Sequence, residues 1–205
     1  MNKDELKIIN KDELKMMINK LENGIDKFIV ASLFYGLNSN DYKEQLLKLT
    51  TDMVDLENST ITLPSGRVVY MDCILREATI EAINQKIYVK MGQMGSRTNE
   101  DYYINSSSKF IIKSKPSKNN NYGLDALKTA GFKARIRRIS NYLTGDSSAI
   151  TATNLKMAGV YNYLKNLKID KKLTIMEAES LLKENGLSIR RNNLIPMLKE
   201  INEGI

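Results

Sequence analysis

The chain has 205 residues, 42% of them apolar, and carries 31 Lys and Arg against 24 Asp and Glu for a net charge of +7. That length suits one sizeable domain or two small ones, and the apolar share can fill an ordinary core. A lone cysteine, Cys73, excludes an internal disulfide framework, and a histidine count of zero excludes imidazole triads and the common imidazole metal sites.

The hexapeptide NKDELK stands at 2–7 and again at 10–15, too few copies for a repeat architecture. The second copy opens a helix. Asn10 and Glu13 have the spacing of a capping box, Leu14, Met17, Ile18 and Leu21 form one apolar stripe, and Asn23-Gly24 ends it. Residues 25–35, IDKFIVASLFY, are apolar on nearly every side and long enough for a buried helix. Asn40 to Leu49 is expected as a short amphipathic helix. Ile61-Thr62-Leu63 and Val68-Val69-Tyr70 flank Pro64-Ser65-Gly66-Arg67 as a hairpin. Helical spacing returns over 74–85 through Leu75, Ala78, Ala82 and Ile83.

Residues 92–108 are polar and expected as loop, Lys109 to Lys113 as a short strand, and Lys115 to Asn121 as a basic loop. A helix is expected over 124–142 with a break at Gly131, carrying Lys133, Arg135, Arg137 and Arg138. Asp146-Ser147-Ser148 is a turn. Thr151 or Thr153 can cap a helix running to Leu167, with Leu155, Ala158, Gly159 and Leu164 inward. Thr174 and Glu177 make a second capping box, opening a helix to Glu184 that Asn185-Gly186 stops. Ser188 to Glu203 is the last helix, interrupted or kinked at Pro196. The expected class is mostly α with a small β-sheet (α+β).

No apolar run reaches the length of a membrane span, the charged start MNKDELKII lacks a signal-peptide segment, and no Gly-rich nucleotide loop occurs. Asp52, Asp55 and Glu57, like Glu100 and Asp101, read as solvated surface, so no metal site and no cofactor are assigned. The charge is uneven. Residues 1–60 hold eight Lys and Arg against eleven acids, whereas 102–145 hold nine against one. Such one-sidedness is the footprint of a polyanion partner.

Residues 34–56 read FYGLNSNDYKEQLLKLTTDMVDL, and NSTITLPSGRVVYMD follows at 58–72. This run resembles the opening of the catalytic domain of the tyrosine recombinases, the phage integrase family. That family has an apolar helix ending in a T-G-L-R-x-S-E-like turn, a Leu-rich helix, a W-x-D-I-D-like stretch and a hairpin. Asn38 stands where the family's first phosphate-gripping arginine would be, and Arg67 takes the hairpin where a lysine is usual. Thr153-Asn154-Leu155-Lys156 resembles the H-x-L-R helix start, with the histidine gone and Lys156 for the second arginine. Gly186-Leu187-Ser188-Ile189 resembles the later G-H-S-S turn without its histidine. No tyrosine occurs beyond Tyr163, and Tyr161 and Tyr163 follow Lys156 too soon to serve as the nucleophile. Cations that stabilise the transition state and a phenol that attacks are the family's chemistry.

The resemblance implies a tyrosine-recombinase-like domain over 10–205 behind an extension at 1–9, with the family's N-terminal core-binding domain absent from this chain. It implies a non-enzyme that binds double-stranded DNA, similar to the integrase-like lysogeny repressors of SPbeta-type Bacillus phages, in the bacterial cytoplasm. It leaves room for a homo-oligomer and for a phage-encoded antagonist protein, and it involves no membrane. The expected DNA contacts are Asn38, Arg67, Lys113, Lys115, Lys118, Lys133, Thr153 and Lys156, with Arg135, Arg137 and Arg138 toward a groove. Two other readings stand beside it. One is an active recombinase, or one completed by a nucleophile from another subunit. The other is a regulator unrelated to recombinases: either 173–201 is a helix-turn-helix, with Arg190 and Arg191 at the start of its second helix, or the acidic N-terminal helices form a protein-interaction module. An ordinary helical hairpin has the same pattern as 173–201.

Overall fold

The computed structural model describes residues 9–37, 45–90, 101–167 and 172–203. Seven helices and two small sheets make up these residues: α1 (Lys11–Lys20), α2 (Gly24–Phe34), β1 (Val54–Asp55), β2 (Thr60–Thr62), β3 (Val68–Tyr70), α3 (Cys73–Asn84), β4 (Ile87–Tyr88), β5 (Tyr102–Tyr103), α4 (Thr129–Thr144), α5 (Ala152–Lys165), α6 (Ile175–Glu184) and α7 (Arg191–Glu203). The fold is α+β, helical with a minor sheet.

α2 is the axis of the molecule. Every residue of it is buried except Lys27, whose Nζ pairs with Glu81 of α3 at 2.7 Å. A helix apolar on all sides must be surrounded, and here α1, α3 and α5 pack around it. Two glycines permit the closest approaches. A Cβ on Gly24 would lie 2.4 Å from the backbone of Glu81, and one on Gly159 would lie 1.7 Å from the Phe34 carbonyl oxygen. The core divides in two. The larger cluster surrounds α2, and a smaller one joins α5, α6 and α7. α5 serves both, with Leu155 and Ala158 turned to the first and Met157, Val160 and Leu164 to the second.

Local chemistry sets the helix ends. Both expected capping boxes form, Asn10 with Glu13 and Thr174 with Glu177. Thr151, not Thr153, caps α5: its hydroxyl accepts from the Asn154 N–H at 3.0 Å. Asp72 caps α3 and also accepts from the Tyr35 hydroxyl and pairs with Lys11, tying three helix ends together.

Several expectations are corrected. Of the helix expected over 40–49, residues 40–44 lie outside the described residues, and 45–48 form a turn. The hairpin gains a third strand, with Val54 opposite Ile61 in β1-β2 and Ile61 opposite Val69 in β2-β3. Within the expected loop 92–108, β5 pairs with β4, with Tyr88 opposite Tyr102. Lys109 to Lys113 is no strand; a single bridge joins Phe110 to Thr50. Consecutive burial of Ile111 and Ile112 breaks the alternation that a sheet surface requires. α4 starts at Thr129 and runs through Gly131 unbroken. α7 starts at Arg191, three residues later than expected, and continues through Pro196. Asn192 and Pro196 are both exposed, so water meets the carbonyl that lost its partner. Burial of Leu194, Met197, Leu198 and Ile201 offsets the cost. No described helix is long and apolar enough to cross a membrane.

Candidate nucleic-acid interface

Four segments far apart in sequence meet at one point. α2 ends in Tyr35-Gly36-Leu37, with Gly36 at φ +69°. The β2-β3 turn closes through Gly66, whose N–H donates to the Leu63 carbonyl at 2.8 Å, and so presents Arg67. Its guanidinium donates from Nη2 to the Gly36 carbonyl at 2.6 Å and from Nη1 to the Asn185 carbonyl at 2.8 Å. The hairpin is thereby pinned to both the end of α2 and the α6-α7 turn.

The fourth segment is the start of α5. Lys156 lies just beyond its first turn, and Nζ donates to the Ser188 hydroxyl at 3.1 Å. Leu187 fills the space beside Gly36, where a Cβ would come 2.2 Å from its Cδ2. Arg67 and Lys156 are both half-buried. Burial, and then repulsion from Arg67, holds the Lys156 ammonium below its ordinary pKa. Burial likewise lowers Arg67. Two neighbouring cations, both held down by burial and one also by the other's charge, are suited to an anion, since a bound phosphate would relieve both burdens.

The other expected contacts divide by burial. Lys115, Lys118, Lys133, Arg137, Arg138, Thr153, Arg190 and Arg191 are exposed. Lys133 and Arg137 share one face of α4, four residues apart. Arg191 also lies 3.7 Å from Glu179. Asn38 lies outside the described residues.

Arg135 and Lys113 are corrections. Arg135 is 3% exposed and faces the core. Its Nε lies 3.8 Å from Asp26 Oδ1, its guanidinium 4.8 Å from the centre of the Tyr88 ring, and Nη1 donates to the Lys113 carbonyl at 3.3 Å. Burial raises the Asp26 carboxyl even with Arg135 facing it. Lys113 is 5% exposed and donates to the carbonyls of Ile83 at 2.6 Å and Ala82 at 3.4 Å, the last turn of α3. It serves as the cation at a helix C-terminus. Neither reaches a surface where DNA could lie.

The partners of Arg67 were not foreseen. They are backbone carbonyls, which carry no sequence signal of their own. The available signal was the pair of glycines, Gly36 and Gly186, at φ +69° and +63°, which let backbone approach closely. Tyr161 and Tyr163 also have definite places. The Tyr161 hydroxyl donates to Glu200 at 2.7 Å, and burial followed by that bond pushes it up to about 12. The Tyr163 hydroxyl accepts from Asn185 Nδ2 at 2.5 Å, and burial followed by the charge of Glu184 raises it. Among the described residues no group of three or more His, Cys, Asp or Glu could hold a metal ion.

Comparison with curated proteins finds no match. Residues 8–204 match the family described as MrpR, C-terminal catalytic domain. The match covers the described helices and both sheets, and the chain belongs to this MrpR C-terminal domain family.

Proposed function

We propose that the protein binds double-stranded DNA without cutting it, and that it acts as a phage repressor that maintains lysogeny from operator DNA in the bacterial cytoplasm. The fold would be that of a tyrosine-recombinase catalytic domain whose phosphate pocket survives in reduced form. The observation that carries this is the convergence of Arg67, Lys156 and Ser188. These come from the hairpin, the helix start and the Gly-Ser turn, the three places where a recombinase would bring groups to the scissile phosphate. Lys156 in place of arginine keeps a charge but loses the two-pronged grip. With no histidine in the chain, proton transfer at the phosphate has no imidazole to use.

The test is a mobility shift of phage promoter fragments over a salt series. Specific retention that weakens steeply with salt is expected. Failure to retain any fragment at low salt would overturn the proposal.

One observation favours an active recombinase. Asn185 bonds the Tyr163 hydroxyl through its side chain and Arg67 through its carbonyl, so a phenol stands one residue from the cations. Against it, the raised pKa of Tyr163 disfavours the phenolate that attack requires. A nicked suicide duplex resolved on a denaturing gel separates the two. A covalent adduct lost in Tyr163→Phe would establish cleavage; no adduct is expected.

A further inference from the structure

Residues 117–123 form a tight turn with strain at two neighbouring positions. Asn121 has φ 48° and ψ 49°, and Tyr122 has φ 54° and ψ 34°. Asn tolerates this left-handed region; a bulky Tyr does not, and such a conformation persists only where its surroundings force it. Here they do. Asn120 Oδ1 accepts from the N–H groups of Ser117 at 2.9 Å and Gly123 at 3.0 Å. Its Nδ2 donates to the Ser114 hydroxyl at 3.0 Å and the Lys115 carbonyl at 2.7 Å. Asn105 Nδ2 donates to the Tyr122 carbonyl at 2.8 Å, which ties the turn to the segment following β5.

The outcome is a fixed backbone from which one ring projects. Tyr122 is 59% exposed, and no described residue bonds its hydroxyl. A second exposed ring, Tyr103, stands two residues before Asn105. Lys115 and Lys118 are exposed in the same stretch, where basic residues outnumber acids nine to one over 102–145. A tyrosine on a fixed backbone has only two side-chain torsions left to order on binding, and the surrounding charge selects a polyanion. Tyrosine hydroxyls are common donors to the sugar–phosphate backbone, which receives most protein–DNA hydrogen bonds.

We propose that the 117–123 turn is a contact finger for duplex DNA. Tyr122 lays its ring on a deoxyribose and donates its hydroxyl to a phosphate, while Lys115 and Lys118 pair with neighbouring phosphates. The assignment rests on the DNA-binding function proposed above, and adds a contact outside the Arg67–Lys156 site.

The test uses Tyr122→Gly, because glycine takes φ near +54° without strain and the variant cannot fail by misfolding there. Binding is read as anisotropy of a fluorescein-labelled mixed-sequence duplex over a salt series, with thermal melts alongside. Tyr122→Gly should melt at or above wild type yet bind about tenfold more weakly, with its salt slope unchanged because a phenol carries no charge. Lys118→Ala should lower the slope by about one. If Tyr122→Gly binds as tightly as wild type while Lys156→Ala weakens binding, the finger is overturned and the DNA-binding function stands. If wild type shows no binding at low salt, the DNA-binding function falls and takes the finger with it.

Discussion

A Cβ on Gly186 would lie 2.2 Å from Cδ of Arg67, so the arginine occupies the space that any larger residue at 186 would need. Gly186 also sits at φ +63°, where a side chain is strained. Gly186→Ala should therefore cost roughly 1–3 kcal/mol in denaturant unfolding. Adding Arg67→Ala should return part of it, because the two residues contend for one space and contacting sites are not additive. Full additivity in the double-mutant cycle would show that the contact carries no energy.

Lys156→Ala should weaken DNA binding by roughly 1–3 kcal/mol, the range for a charge-assisted contact, and lower the salt slope by about one. Lys156→Arg should hold affinity without bringing cleavage. If the alanine variant stays folded with affinity and slope unchanged, the site is misassigned.

The same lysine predicts a pH effect on binding. Its free-state pKa is lowered by burial and by Arg67. A bound phosphate favours the charged form, so the complex holds the proton to higher pH than the free protein does. Affinity should then be full at neutral pH and fall as pH rises through the lowered lysine value, before ordinary lysines titrate. In Lys156→Arg this alkaline loss should vanish, since arginine keeps its proton throughout. Titrating affinity against pH for both proteins checks it.

Arg135 and Arg137 are two residues apart on α4 and should behave oppositely. Arg135→Ala leaves Asp26 buried without its cation and should cost about 3–5 kcal/mol of stability. Arg137→Ala, at an exposed position, should leave the melt unchanged and lower the DNA salt slope by about one. Equal effects on the slope would contradict the inward placement of Arg135.

Gly159→Ala would force a methyl against the Phe34 carbonyl, 1.7 Å from the oxygen, with backbone on both sides unable to yield. The α2-α5 contact must open, and a loss at or above the upper part of the usual 1–3 kcal/mol for overpacking is expected. A melt near wild type would mean that α5 can shift on α2 at little cost.

The sequence by itself determined what depends on near neighbours. Asn10 with Glu13 and Thr174 with Glu177 start their helices through bonds three residues long. The stretch after Asn23, apolar on nearly every side apart from Asp26 and Lys27, suited a buried helix by its length and lack of breakers. The hairpin around Gly66 was equally legible. Pairings between distant segments were not. β4 and β5 meet as Tyr88 and Tyr102, two-residue strands with too few positions for a period to appear. Arg135 looked like its neighbours Arg137 and Arg138, since a run of basic residues does not show which one turns inward. That depended on the rotation of α4 against Asp26, 109 positions earlier in the chain. The candidate site was half legible for the same reason. Arg67 and Lys156 were expected as phosphate contacts, but only the tertiary structure put them beside Ser188, because the bonds that gather the segments run from Arg67 to backbone carbonyls at two glycine turns and from Lys156 to a hydroxyl 32 positions on.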